Sequence, residues 1–267
     1  MKRFSLAVLF LAFTVMLFAQ TYKDGLYFAQ DTQYGNSGWK EQVVVEVKGG
    51  KIVSVNWNAV SNLGMPDKKT YASQGGYGMA QAAKQGEWHI QAKRVEDYLI
   101  HVQDPSKITY DATTGKTDVI SGATIHVNSF VELVKKALAS QPVKKGIYKK
   151  DGWFYAAAQE FDKSGWKETV LVTVVNGTIV DVVWNALPKD PKGKSKLVSS
   201  LAGAYPMNGA QGPWHVQAER MQKALLDKQN PALIAVKSDG KTDAVSGVSI
   251  TVGSFLQLVS QALEKAK

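Results

Sequence analysis

The amino-acid sequence predicts an α+β fold of two tandem homologous domains, each a mostly antiparallel sheet with helices packed on it. Three observations carry this reading. A long internal repeat divides the chain. Inside each copy, β-branched runs meet at hairpin-type dipeptides, and each copy closes with an amphipathic helical segment.

The elements follow in chain order. Lys2 and Arg3 precede an apolar run from Phe4 to Phe18, and Ala19 closes a Leu-Phe-Ala triplet of the kind a signal peptidase cuts, so residues 1–20 are expected to be a removed signal peptide. The run is shorter than the roughly 20 residues a membrane-spanning helix needs. Asp24–Ala59 then aligns without gaps onto Asp151–Ala186, with 18 identities in 36 positions at a constant offset of 127. The correspondence continues through Tyr77–Arg94 against Tyr205–Arg220 and through the closing helical segments. The expected boundaries are 21–140 for the first domain, 141–145 for a linker and 146–267 for the second. "EQVVVEV" and "KIVSVNW" are strands joined at Gly49-Gly50, and the second copy has Asn176-Gly177 at the same join, a hairpin signal. Trp88–Val102 and Val216–Leu226 carry helical periodicity. So do Phe130, Leu133, Val134, Ala137 and Leu138, mirrored by Phe255, Leu258, Val259, Ala262 and Leu263.

Composition bounds the function. The chain has 267 residues and no Cys, which excludes disulfides, a lipid-modified Cys and thiolate metal sites. Removal of two leader cations, Lys2 and Arg3, lowers the formal net charge from +9 to +7. That charge suits an exported protein, periplasmic or extracellular and not lipid-anchored, near anionic surfaces such as a membrane or near anionic small molecules. No nucleic-acid-binding signature accompanies it, and four His without Cys give little for a metal site.

"DVISGAT", Asp118–Thr124, returns as "DAVSGVS", Asp243–Ser249. Gly122 and Gly247 allow a sharp turn, and Thr124 lies at or just before the expected start of the last helix of its copy, where backbone N–H groups favour an anion. The alternative is that Ser121 or Thr124 caps that helix. The motif resembles that of the FMN-binding domain family, found in the C subunit of sodium-pumping NADH:quinone reductase, the G subunit of the Rnf complex and exported flavoproteins of extracellular electron transfer. The resemblance implies that a flavin transferase, with FAD as donor, joins FMN through a phosphoester to Thr124, with Asp118, Ser121, Gly122 and Ala123 as motif residues. Asp243, Ser246, Gly247 and Ser249 are their counterparts, with Val248 and Ser249 departing from the family's Ala and Thr. Attachment at Ser249 stays open, as does Thr251 as a remote alternative, so one or two FMN per chain are implied.

Trp88-His89 and Trp214-His215 recur in matching positions. Each Trp could stack on a flavin ring or anchor a core, and each His could bond the ring's polar edge or satisfy a neighbour. Tyr77 and Tyr205 lie in irregular segments where ligand contacts concentrate. Lys68 and Lys69, aligned near Lys196, could meet a flavin phosphate or an acidic redox partner, and the Lys-rich stretch 188–196 reads as a solvated loop. With no group for substrate-specific catalysis beyond the motif, the chain reads as an exported electron carrier with an unidentified donor and acceptor. A secreted binding module or surface antigen without flavin, and an oxidoreductase with its own small substrate, are the competing classes.

Overall fold

The computed structural model describes residues 22–207 and 209–267; the expected leader lies outside them. The first half of the described chain builds β1 (Gly25–Gln30), β2 (Trp39–Lys48), β3 (Lys51–Ser61), α1 (Lys68–Ser73), α2 (Trp88–Val102) and α3 (Asn128–Leu138). The second half repeats the series as β4 (Gly152–Ala157), β5 (Trp166–Val175), β6 (Thr178–Pro188), α4 (Lys196–Leu201), α5 (Trp214–Lys228) and α6 (Gly253–Glu264). Each trio of strands forms an antiparallel sheet in sequence order, so the α+β reading holds. Both sheets carry a register shift at the same place, Glu46/Val47 in one and Thr173/Val174 in the other. The first strand of each unit was not read from the sequence.

Alternation along β2 turns Val43, Val45 and Val47 toward the helices. The i, i+3, i+4 stripe of α3 answers with Phe130, Leu133 and Val134, all buried. At the centre Trp57 is enclosed, with ring centroids 5.2 Å from Trp88 and 4.9 Å from Phe130. Trp184 repeats the arrangement at 5.3 Å from Trp214 and 4.5 Å from Phe255. Truncating either central Trp to Ala would cost about 3–5 kcal/mol.

The opposite faces of the two sheets meet, which gives four layers with helices outside. Val60, Leu171 and Val183 form a small apolar contact there. Beside it Asp181 accepts from Lys40 Nζ at 3.2 Å and from Gln42 Nε2 at 2.8 Å, while Gln42 Oε1 accepts from Trp153 Nε1 at 2.6 Å. Such a polar cluster is satisfied in one alignment of the sheets only. The stretch expected to link the units bonds to both. Val143 N donates to Leu26 O at 2.7 Å, Asn176 Nδ2 donates to Val143 O at 2.7 Å, and Gly146 N donates to Asn176 O at 2.8 Å. A Cβ on Gly146 would lie 2.0 Å from Gly177 O, so this junction requires glycine.

Candidate cofactor-attachment site

The motif segment leaves the core in a clamped loop. Val127 N donates to Gly115 O at 2.7 Å and Thr117 Oγ1 donates to Thr109 O at 2.6 Å. Gly122 adopts φ +77°, a left-handed turn that a side chain would strain. Ile120, Ala123 and Ile125 are buried, and this pinning leaves Thr124 exposed. The second copy does the same with Gly247 at φ +75°, Val248 buried and Ser249 exposed. Val248 therefore fills a core position in place of Ala123.

The helix expectation is corrected here. α3 starts at Asn128 with Val127 as N-cap and no side-chain cap bond, and α6 starts at Gly253 after Val252 in the same way. Neither Ser121 nor Thr124 caps a helix, and Thr124 does not sit at the N-terminus of one. The Val127 N–H is drawn to Gly115 O and the Thr124 N–H to a side chain, so the helix cannot begin earlier.

That side chain is Gln91 of α2. Its Oε1 accepts from Thr124 N at 2.7 Å and from Thr124 Oγ1 at 3.1 Å. One residue-turn along α2, Arg94 Nη1 donates to Gly122 O at 2.8 Å and to Gln85 O at 2.6 Å. A Cβ at Gly122 would lie 3.2 Å from Arg94 Nε, so the guanidinium lies against the turn itself. The second unit keeps the set. Gln217 Oε1 accepts from Ser249 N at 2.8 Å and Ser249 Oγ at 3.2 Å, and Arg220 Nη1 donates to Gly247 O at 2.5 Å. Gln91, Arg94 and their counterparts Gln217 and Arg220 were not singled out from the sequence, although "IQAKR" and "VQAER" carry them at identical spacing.

Each arrangement presents an outward hydroxyl whose proton is held by a carboxamide oxygen, with a fixed cation beside the turn. Such a hydroxyl has its lone pairs free toward solvent, and the cation suits a phosphate at that oxygen. Gln91 orients the side chain without carrying charge of its own.

The remaining candidates divide. Ser121 and Ser246 are exposed, as is Asp118, while Asp243 pairs with Lys237 at 3.0 Å. Trp88 and Trp214 are buried core residues at the starts of α2 and α5, which favours their structural role. His215 Nδ1 lies 2.9 Å from Ser200 Oγ, which also accepts from His215 N at 3.1 Å. His89 has Ala72 where the second unit has Ser200, and its buried Nδ1 finds no partner among the described residues.

The lysine expectation is also corrected. Lys68 is only 5% exposed. Its Nζ lies 4.2 Å from the Trp88 ring centre, 5.2 Å from Tyr77 and 5.9 Å from Trp39, and 3.6 Å from Glu41 Oε1. Burial pushes the Glu41 carboxyl up and the Lys68 ammonium down from their ordinary values, each against the pull of the other. Lys196 sits in the matching cage of Trp166, Tyr205 and Trp214 at 5.7, 5.0 and 5.2 Å. Lys69 bonds Glu96 Oε1 at 2.6 Å. Tyr77 and Tyr205 thus serve as cage walls, and these lysines are engaged inside the protein. Among the described residues no group of His and acidic side chains forms a metal site, and no helix is long and apolar enough to cross a membrane.

Comparison with known proteins adds three findings. The profile of a family described as FMN-binding domain matches residues 38–139. A 15 kDa lipoprotein of Treponema pallidum (strain Nichols) is 31% identical over 117 residues, covering 44% of this chain and 76% of that protein. Among solved structures, a Clostridium thermocellum protein studied by NMR is 49% identical over 45% of this chain and 95% of its own, with a TM-score of 0.37, and a Clostridium perfringens protein is 24% identical over 44% and 86%, with a TM-score of 0.33.

Proposed function

Because the chain belongs to the FMN-binding domain family, we propose that it is an exported electron carrier holding FMN by a phosphoester at Thr124 and a second FMN at Ser249. FMN, when bound, supplies one- and two-electron redox chemistry, and the protein supplies attachment and exposure. The observation that carries the reading is the exposed hydroxyl oriented by a glutamine and flanked by an arginine at a glycine turn, built twice in one chain.

Attachment would use Thr124 Oγ as nucleophile on the FMN-side phosphorus of FAD, held by a separate flavin transferase. The new Oγ–P bond forms as the pyrophosphate bond breaks and AMP leaves, and the hydroxyl proton passes to a base of the transferase. Gln91 keeps the hydroxyl in one rotamer before reaction and retains the Thr124 N–H bond afterward. Arg94 offsets the charge of the phosphodiester. Covalent attachment suits an exported protein, because a noncovalent cofactor would be lost where no free pool refills the site. The chain has no Cys for lipid attachment, which favours a periplasmic or extracellular protein held by no lipid.

The test is intact mass after coexport with a flavin transferase. Two FMN additions, one lost in Thr124→Ala and the other in Ser249→Ala, are expected. No addition, with the transferase active on a control protein, would refute the proposal and leave a binding module without flavin.

A further inference from the structure

Both hairpin tips and the inter-unit stretch converge on one end of the molecule. Asp24 accepts from Gly49 N at 2.9 Å and Gly50 N at 2.8 Å, which brings the β2–β3 tip to the start of β1. A Cβ on Gly25 would lie 2.6 Å from Pro142 Cβ, and Gly146 abuts Gly177 at the β5–β6 tip. Thr178 Oγ1 donates to Lys144 O at 2.7 Å, and Lys149 N and Lys150 N both donate to Ala266 O, at 2.8 and 3.0 Å.

This end therefore gathers Lys23, Lys48, Lys51, Lys144, Lys145, Lys149 and Lys150, all exposed. Among the described residues none of the seven forms an ion pair, whereas Asp24 and Asp151, the neighbouring aspartates, spend oxygens on backbone N–H groups. In the middle of the lysine run "KKGIYKK" stands Ile147, 68% exposed, while the adjoining Tyr148 is buried and donates to Gln229 O at 2.9 Å. The bonds on both sides hold the backbone of the run in place.

We propose that this end is a docking face for an anionic lipid surface, with the lysines at the headgroups and Ile147 entering the boundary of the acyl chains. Charge complementarity argues for anionic headgroups. The isolated apolar side chain ringed by cations argues for a bilayer over an acidic protein, because apolar insertion adds affinity only where a hydrocarbon layer lies beneath the charges. Docking by this face would turn the two hydroxyls outward. Gln91 and Gln217 hold Thr124 and Ser249 near one end of α2 and α5, while Gln103 and Gln229, at the other end, bond Ile52 and Ile179 beside the hairpin tips. Twelve helical residues separate the two ends of this span, roughly 18 Å.

The experiment is sedimentation of the exported chain with vesicles of phosphatidylcholine alone and of phosphatidylcholine with phosphatidylglycerol. Binding to the anionic vesicles only, weakening with salt, is expected. The variant K144Q/K145Q/K149Q/K150Q should lose at least ~100-fold in partitioning, at roughly fivefold per lysine. Ile147→Gln should weaken binding severalfold and leave the salt dependence unchanged. K189Q/K192Q/K194Q, at the exposed β6–α4 loop, should bind as the parent does. Equal binding to neutral vesicles, no binding to anionic ones, or equal losses in both lysine variants would overturn the proposal. Near-UV circular dichroism confirms that each variant is folded.

Discussion

Replacing Lys68 by Met removes the ammonium from the aromatic cage while keeping most of the aliphatic stem. Glu41 is then left with the Trp57 indole, which donates to its Oε2 at 3.0 Å, and, among the described residues, with no cation within ion-pair distance. Breaking one side of a buried pair costs about 3–5 kcal/mol, and the 18% side-chain exposure of Glu41 places this case at about 3 kcal/mol. For a unit of this size such a loss lowers the melting temperature on the order of 10 °C. Differential scanning calorimetry measures it directly. Glu41→Gln combined with Lys68→Met should recover part of the loss, because the orphaned charge is then gone. Lys196→Met is the internal comparison. Lys196 has three rings around it but no ion pair among the described residues, so its loss should be smaller. A Lys68→Met variant within about 1 kcal/mol of the parent, or a double variant no better than the single, would refute the account of the cage.

Further outcomes follow from other parts of the molecule. Gly122→Ala places a Cβ at φ +77° and 3.2 Å from Arg94, so it should cost about 1–2 kcal/mol in thermal unfolding and slow flavin attachment. Gln91→Ala should slow attachment about tenfold in a mass-spectrometric time course while the second unit reacts unchanged, since one lost orienting bond is worth roughly 1–1.5 kcal/mol. Glu41 and Glu96 both have carboxyls raised by burial, so the folded chain holds protons that the unfolded chain has released. Stability should therefore fall as pH rises from about 4.5, the ordinary value of a glutamate carboxyl, and Glu41→Gln should flatten that slope in urea titrations. Asp181→Ala leaves Lys40 and Gln42 without their shared acceptor, and calorimetry should then resolve separate transitions for the two units, at a cost of about 3 kcal/mol.

Local signals in the sequence were legible where neighbours in the chain decide the outcome. The Gly49-Gly50 and Asn176-Gly177 joins are hairpin tips, and the stripe from Phe130 to Ala137 is the buried face of α3. β1 was missed because "GLYFAQ" has neither clean alternation nor a β-branched run; its pairing with β2 determines its state. The start of α3 was misread for a related reason. A Thr ahead of an apolar stripe looks like a cap, but Gly115 and Gln91, distant in the chain, claim the N–H groups of Val127 and Thr124. The lysine cages were equally hidden, because Trp39, Tyr77 and Trp88 meet Lys68 only through the fold. Of the candidate site, the hydroxyls and glycines were readable as a repeated motif. Gln91 and Arg94 were present in the same repeat, yet nothing local marks a helical Gln or Arg as facing a loop 33 or 28 residues away.

The stretch between the units has a consequence for anything carried at Thr124 and Ser249. A flexible tether would make the encounter of two such groups a matter of chain statistics, with an effective concentration that falls as the tether lengthens. Here residues 143–146 are bonded to β1 and to the β5–β6 hairpin, and Gln42, Asp181 and Trp153 lock one sheet on the other. The spacing of the two hydroxyls is then a property of the architecture, independent of viscosity and of dilution. Two groups attached there would communicate, or stay isolated, at a constant distance set when the chain folds.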